Sequence, residues 1–158
     1  MAVEEEREAL GRRAVAGFED SAAAGATKVS DLKKLKLGAQ VGTTSYTAAK
    51  DQIAPTTEVA VYDTNDLAVQ ALKNKQVDGI VVDLPTAFFM TATQLDDGVI
   101  VGQLPAKGGA QEQFGAVLDK GSALTPCITS AVDGLRSDGT LDKLVSQWLS
   151  TQGAPELK

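Results

Sequence analysis

Two stretches of this sequence place groups that could hold a small charged molecule. Gly38-Ala-Gln-Val-Gly-Thr-Thr-Ser45 ends in three hydroxyl residues, and Val77-Asp-Gly-Ile-Val-Val-Asp-Leu-Pro85 carries a carboxylate at Asp83. Each reads as a buried strand that finishes in small or acidic polar groups and runs into a helix. In an open α/β sheet that is where ligands bind, in the crevice beyond the carboxyl ends of the strands. The first N–H groups of a helix starting at Thr43, Thr44 and Ser45 lack internal partners and carry partial positive charge, a setting for an anion. Asp83 offers a charge-assisted bond to a cation. Ordinary capping explains the same residues: hydroxyls at a helix start accept N–H bonds, and Asp83 just ahead of Pro85 suits an N-cap. Residue types alone leave both roles open.

Absent residues exclude more than present ones suggest. The 158-residue chain has no histidine, which removes His-based triads, the commonest general base and the commonest zinc ligand. Its one cysteine, Cys127, can form no internal disulfide; in Thr125-Pro-Cys-Ile-Thr-Ser it reads as a small packed thiol behind a Thr125 N-cap. With 15 basic against 21 acidic residues the net charge is −6, and Lys33, Lys34 and Lys36 form the densest basic cluster. Nucleic acid needs a basic stripe to release counterions, so no nucleic-acid partner is expected. At 43% apolar residues the chain is globular, of a length for one domain with a real core. No apolar run reaches the ~20 residues that cross a bilayer, so no membrane insertion is expected. Met1-Ala-Val-Glu-Glu-Glu-Arg7 is too acidic for a signal peptide.

Periodicity supplies the elements that must position these groups. Residues 2–13 read as a charged helix, Ala14–Phe18 as a short strand and Ser21–Thr27 as a small-residue linker. Ser30 is placed to cap a helical turn through Leu35. Lys36–Val41 is the next strand, followed by a helix from near Ser45 that ends before Pro55. Val59–Tyr62 is a strand, and Asp63 or Thr64 caps a helix with Leu67, Ala68, Ala71 and Leu72 on its buried face. Gly79–Val82 is apolar on both faces, as an interior parallel strand should be. A helix with Phe88, Phe89 and Met90 leads to a strand at Val99–Val101, and Phe114–Leu118 reads as a further strand. Two amphipathic helices close the chain, one with Ile128, Val132 and Leu135, the other with Leu141, Leu144, Val145, Trp148 and Leu149. Alternating strands and helices mean an α/β fold: three layers, a mainly parallel sheet with helices on both faces.

These residues carry a resemblance. The segments Asp31-Leu-Lys, Leu37–Ser45, Tyr62-Asp-Thr-Asn, Ala71-Leu-Lys, Val77–Asp83, Phe114–Gly121, and Leu135–Leu144 with Trp148 occur in the order found in extracytoplasmic substrate-binding proteins of amino-acid ABC transporters. Over Asp31–Trp148 the chain resembles that type 2 periplasmic-binding-protein fold, solute-binding family 3. Such proteins close two α/β lobes, joined by hinge strands, around a ligand. The resemblance implies that 30–111 is lobe two, flavodoxin-like in layout. It makes 1–29 a charged helix, hinge-like strand and linker, and 112–158 a returning hinge strand with C-terminal helices of lobe one. The large N-terminal part of lobe one is then expected to lie outside this sequence.

For function the resemblance implies non-catalytic capture of a small polar amino acid, weak in a single lobe, with neither metal nor cofactor. Thr43, Thr44 and Ser45 would take the ligand's carboxylate, Asp83 its ammonium group, and Gln40 its variable group. The family's gripping arginine has no counterpart, since none of Arg7, Arg12, Arg13 and Arg136 lies in a segment like its motif. An ABC permease is the implied partner and an extracytoplasmic location the implied address. Two alternatives stand beside this reading. One is a self-associating fragment whose tail from Phe114 exchanges between two chains into a homo-oligomer. The other is a dehydratase-like enzyme of the same fold, for which no catalytic acid–base pair stands out in the sequence.

Overall fold

In the computed structural model, residues 12–105, 115–148 and 154–158 are described. Five strands form one sheet: β1 (Arg13–Phe18), β2 (Leu37–Gln40), β3 (Ala60–Tyr62), β4 (Gly79–Asp83) and β5 (Gly98–Gln103). Their spatial order is β3-β2-β4-β1-β5. Strand β2 pairs in parallel with β3 and with β4, whereas β1 runs antiparallel to both β4 and β5. The sheet is therefore mixed rather than mainly parallel in its pairings: four strands share one direction and the reversed β1 stands in its interior.

Alternation along the strands builds two cores. Ala14, Ala16, Ile80, Val82 and Ile100 point to one face, where helix α2 (Asn65–Lys73) contributes Ala68, Val69 and Leu72 and helix α3 (Leu84–Thr93) contributes Leu84, Ala87 and Met90. Val15, Leu37, Ala39, Val81 and Val101 point to the other. There they meet Leu32 of the 3₁₀ turn Val29–Lys34, and Ala48, Ala49 and Ile53 of helix α1 (Thr44–Ala48) and its wider π continuation (Ala49–Ile53). Side chains on successive strand positions face opposite sides, so this three-layer arrangement follows from apolar residues at both parities.

Several local expectations are corrected. Arg13 belongs to β1 and not to a charged helix; residues 1–11 of that expected helix lie outside the described residues. The expected strand Ala14–Phe18 does form, as part of β1, inside the sheet and buried from Arg13 to Gly17. Ser30 does not cap the 3₁₀ turn, whose N-cap is Lys28. Asp31 anchors that turn instead, its carboxylate accepting from the backbone N–H of Thr27 and of Lys28 at 3.0 Å each. Leu67 is exposed, and Val69 takes its place in the buried face of α2, which Thr64 caps. The helix before Pro55 ends at Ile53, with Ala54 in the left-handed region at φ 48°.

Beyond β5 the chain departs more. Gly115–Leu118 form no strand, and Phe114, like the expected lobe boundary at 111/112, lies outside the described residues. Helices α4 (Thr125–Ser137) and α5 (Thr140–Trp148) form as predicted, but neither contains a buried residue. Thr125 is the first helical residue of α4, not its cap, which is Leu124, and Cys127 is exposed. The last residues then rejoin the sheet: Gln103 N–H donates to Pro155 O at 2.7 Å, Leu157 N–H to Gln103 O at 2.9 Å, and Ala154 and Leu157 are buried. No described helix is long and apolar enough to cross a membrane.

Candidate functional site

The direction of the chain reverses at β2. From β2 it passes through α1 on one face to β3, then returns through α2 on the opposite face to β4. The helices that follow β2 and β4 therefore leave to opposite faces from the carboxyl ends of these paired strands. That is the topological switch point at which open α/β sheets hold ligands. Thr43, Thr44 and Ser45 lie on one side of it and Asp83 on the other.

Each residue has a distinct job. Gly42, at φ +70°, takes the left-handed conformation that turns β2 into α1, which a residue with a Cβ adopts only at a cost. Thr43 is the N-cap of α1: its hydroxyl accepts from Tyr46 N–H at 3.2 Å and donates to Gln40 O at 2.8 Å. Thr44 is exposed and Ser45 is buried, 4% accessible. Gln40, at the end of β2, donates through Nε2 to Asp63 O at 3.1 Å, which ties the end of β2 to that of β3. Asp83 occupies the N-cap position of α3, yet its side chain makes no capping bond. Capping thus accounts for Thr43 and leaves Thr44 and Asp83 for other work.

Arg13 joins these two residues. The antiparallel register places it directly opposite Asp83, so the first residue of β1 arrives at the carboxyl end of β4. One guanidinium nitrogen lies 3.2 Å from Asp83 Oδ1, and another donates to the Thr44 hydroxyl at 2.5 Å. The Arg13 side chain is 8% accessible and that of Asp83 36%, so a buried cation backs a carboxylate that opens to solvent. Arg13 lies in no segment like the family's arginine motif. The available signal was a basic residue bordering an apolar strand, which must end in a cleft or at the surface.

No protein-family model matches the sequence. Solved structures do. An ancestral arginine-binding protein bound to glutamine matches at 29% identity with a TM-score of 0.63, over 88% of this chain and 60% of that one. The same kind of protein bound to arginine matches at 30% identity and TM-score 0.60, over 87% and 59%. The substrate-binding protein of an amino acid ABC transporter matches at 25% identity and TM-score 0.59, over 87% and 58%. This chain has the α/β lobe fold of amino-acid solute-binding proteins. It spans about three fifths of the length of those structures, the shares being 60%, 59% and 58%. These neighbours are described as binding proteins.

Proposed function

We propose that this lobe captures a small polar amino acid without catalysis, as the substrate-binding part of an ABC transport system. The observation that carries the reading is the convergence of Thr44 and Asp83 at the switch point, where neither is used for capping. The ligand's carboxylate would meet the Thr43–Ser45 turn, its ammonium group Asp83, and its variable group Gln40. Among the neighbours, one is bound to glutamine and one to arginine, which supports a polar ligand. Affinity is expected to be weak, because pockets work by burying most of the ligand and a single lobe contacts one side of it. The partner would be a permease, and the place of action outside the cytoplasmic membrane.

A thermal-shift panel of the common amino acids at about 10 mM tests this. A site filled at ten times its dissociation constant gains ~1.4 kcal/mol, which moves the midpoint of a domain this size by ~3–5 °C. A selective shift that Asp83→Ala abolishes is the expected result. No shift from any amino acid, in a sample that melts cooperatively, would contradict the reading.

A second reading has its own observation. Helices α4 and α5 leave Leu135 40%, Leu144 46% and Trp148 67% accessible, with Leu124 at 61% just before them. Apolar surface of this kind drives association. If these helices pair between two chains, mass measured by light scattering will rise with concentration, and Trp148→Ser will restore a monomer.

A further inference from the structure

We propose that Arg13 is a resident cation of the ligand site: it holds Asp83 and Thr44, and a cationic group reaches Asp83 only in competition with it. The proposal rests on the reading of Asp83 as the site's cation-binding group. Thr44 and Asp83 make no capping bond, and the guanidinium of Arg13 binds both. A surface ion pair would leave its basic partner solvated. Here the arginine is 8% accessible and the aspartate 36%, so the cation occupies the inner position and the carboxylate faces out. The neighbouring pair, Arg12 with Glu156, serves a different end. At 2.9 Å, with accessibilities of 17% and 52%, it ties the returning tail to the start of β1.

A second cation placed at Asp83 would be repelled by the first and would share its carboxylate. The structure therefore gives the site a default occupant, fixed by the register of β1 against β4, that lowers affinity for cationic ligands. Removing the Arg13 side chain empties the inner position while leaving Asp83 in place.

The test uses Arg13→Ala and methylguanidinium at about 20 mM, a concentration that stabilises measurably only if the dissociation constant is millimolar or lower. Equal sodium chloride and neutral N-methylurea are the controls. The expected result is a methylguanidinium-specific rise in the melting midpoint of Arg13→Ala that is absent from the wild type and from Arg13→Ala/Asp83→Asn. No cation-specific rise, or an equal rise in the double variant, overturns the proposal. Should Arg13→Ala be unfolded alone, the same titration is followed as refolding by circular dichroism, and failure to refold counts against the proposal. The amino-acid panel on the wild type reports separately on the receptor reading. A silent panel together with a methylguanidinium response keeps Arg13 as resident cation and removes the amino acid as the ligand.

Discussion

Asp31 shows how one carboxylate makes a local structure depend on pH. Its pKa is lowered below 3.8, first by the backbone N–H of Thr27 and then by that of Lys28. A carboxyl whose folded pKa is depressed stabilises the fold above its unfolded pKa, and that contribution disappears as pH falls through the folded value. Asp31→Asn should thus melt lower than the wild type at neutral pH, and the difference should vanish in acid below the folded pKa. Melting curves of both proteins across that range check this; an offset that persists unchanged in acid would show that Asp31 acts through something other than its charge. At the same scale, the candidate site was partly legible. Thr43–Ser45 and Asp83 were visible because each follows directly on an apolar strand pattern in the sequence, although capping alone could explain them. Arg13 was not, because its position depends on pairing with Asp83 seventy residues away in the chain.

At the scale of elements, local pattern foresaw β2, β3, β4, α2 and α3, whose periodicity records which face is buried. It did not foresee that β1 enters the sheet between β4 and β5, since non-local pairing leaves no mark on a short apolar run. Nor did it foresee the return of the tail. Ala154-Pro-Glu-Leu157 is too short to show a period, yet Leu157 is 2% accessible and packs where Gly102 has no side chain. A Cβ on Gly102 would meet Leu157 Cγ at 2.6 Å and Pro155 O at 3.0 Å, so the tail must shift to admit it. Gly102→Ala should destabilise by about 1–3 kcal/mol, the range for overpacking. It should also speed amide exchange at Leu157, whose N–H bonds to Gln103 O. Wild-type exchange in the variant would mean that the tail does not depend on this contact. The amphipathic faces of α4 and α5 were read correctly as helical, but periodicity says only that a face is apolar, not what covers it.

For the whole molecule, the point of departure and the point of return lie together. Leu104 N–H donates to Arg13 O at 2.8 Å, and Gln103 Nε2 donates to Ala154 O at 2.6 Å. The sheet with both its cores is therefore closed by residues 12–104 and 154–158, and α4 and α5 add nothing buried to it. A chain in which a short Gly/Ser linker replaces 106–153 should still melt cooperatively, because a shorter loop lowers closure entropy. A protein without a cooperative transition would show that the excised part supports the lobe. The central claim is that the switch point is a receptor for an amino acid, and an amide-resolved NMR titration with polar amino acids tests it most directly. The account predicts saturable shifts centred on the amides of Thr43, Thr44, Ser45 and Asp83 that disappear in Asp83→Asn. Shifts confined to other parts of the surface, or none up to tens of millimolar, would contradict it.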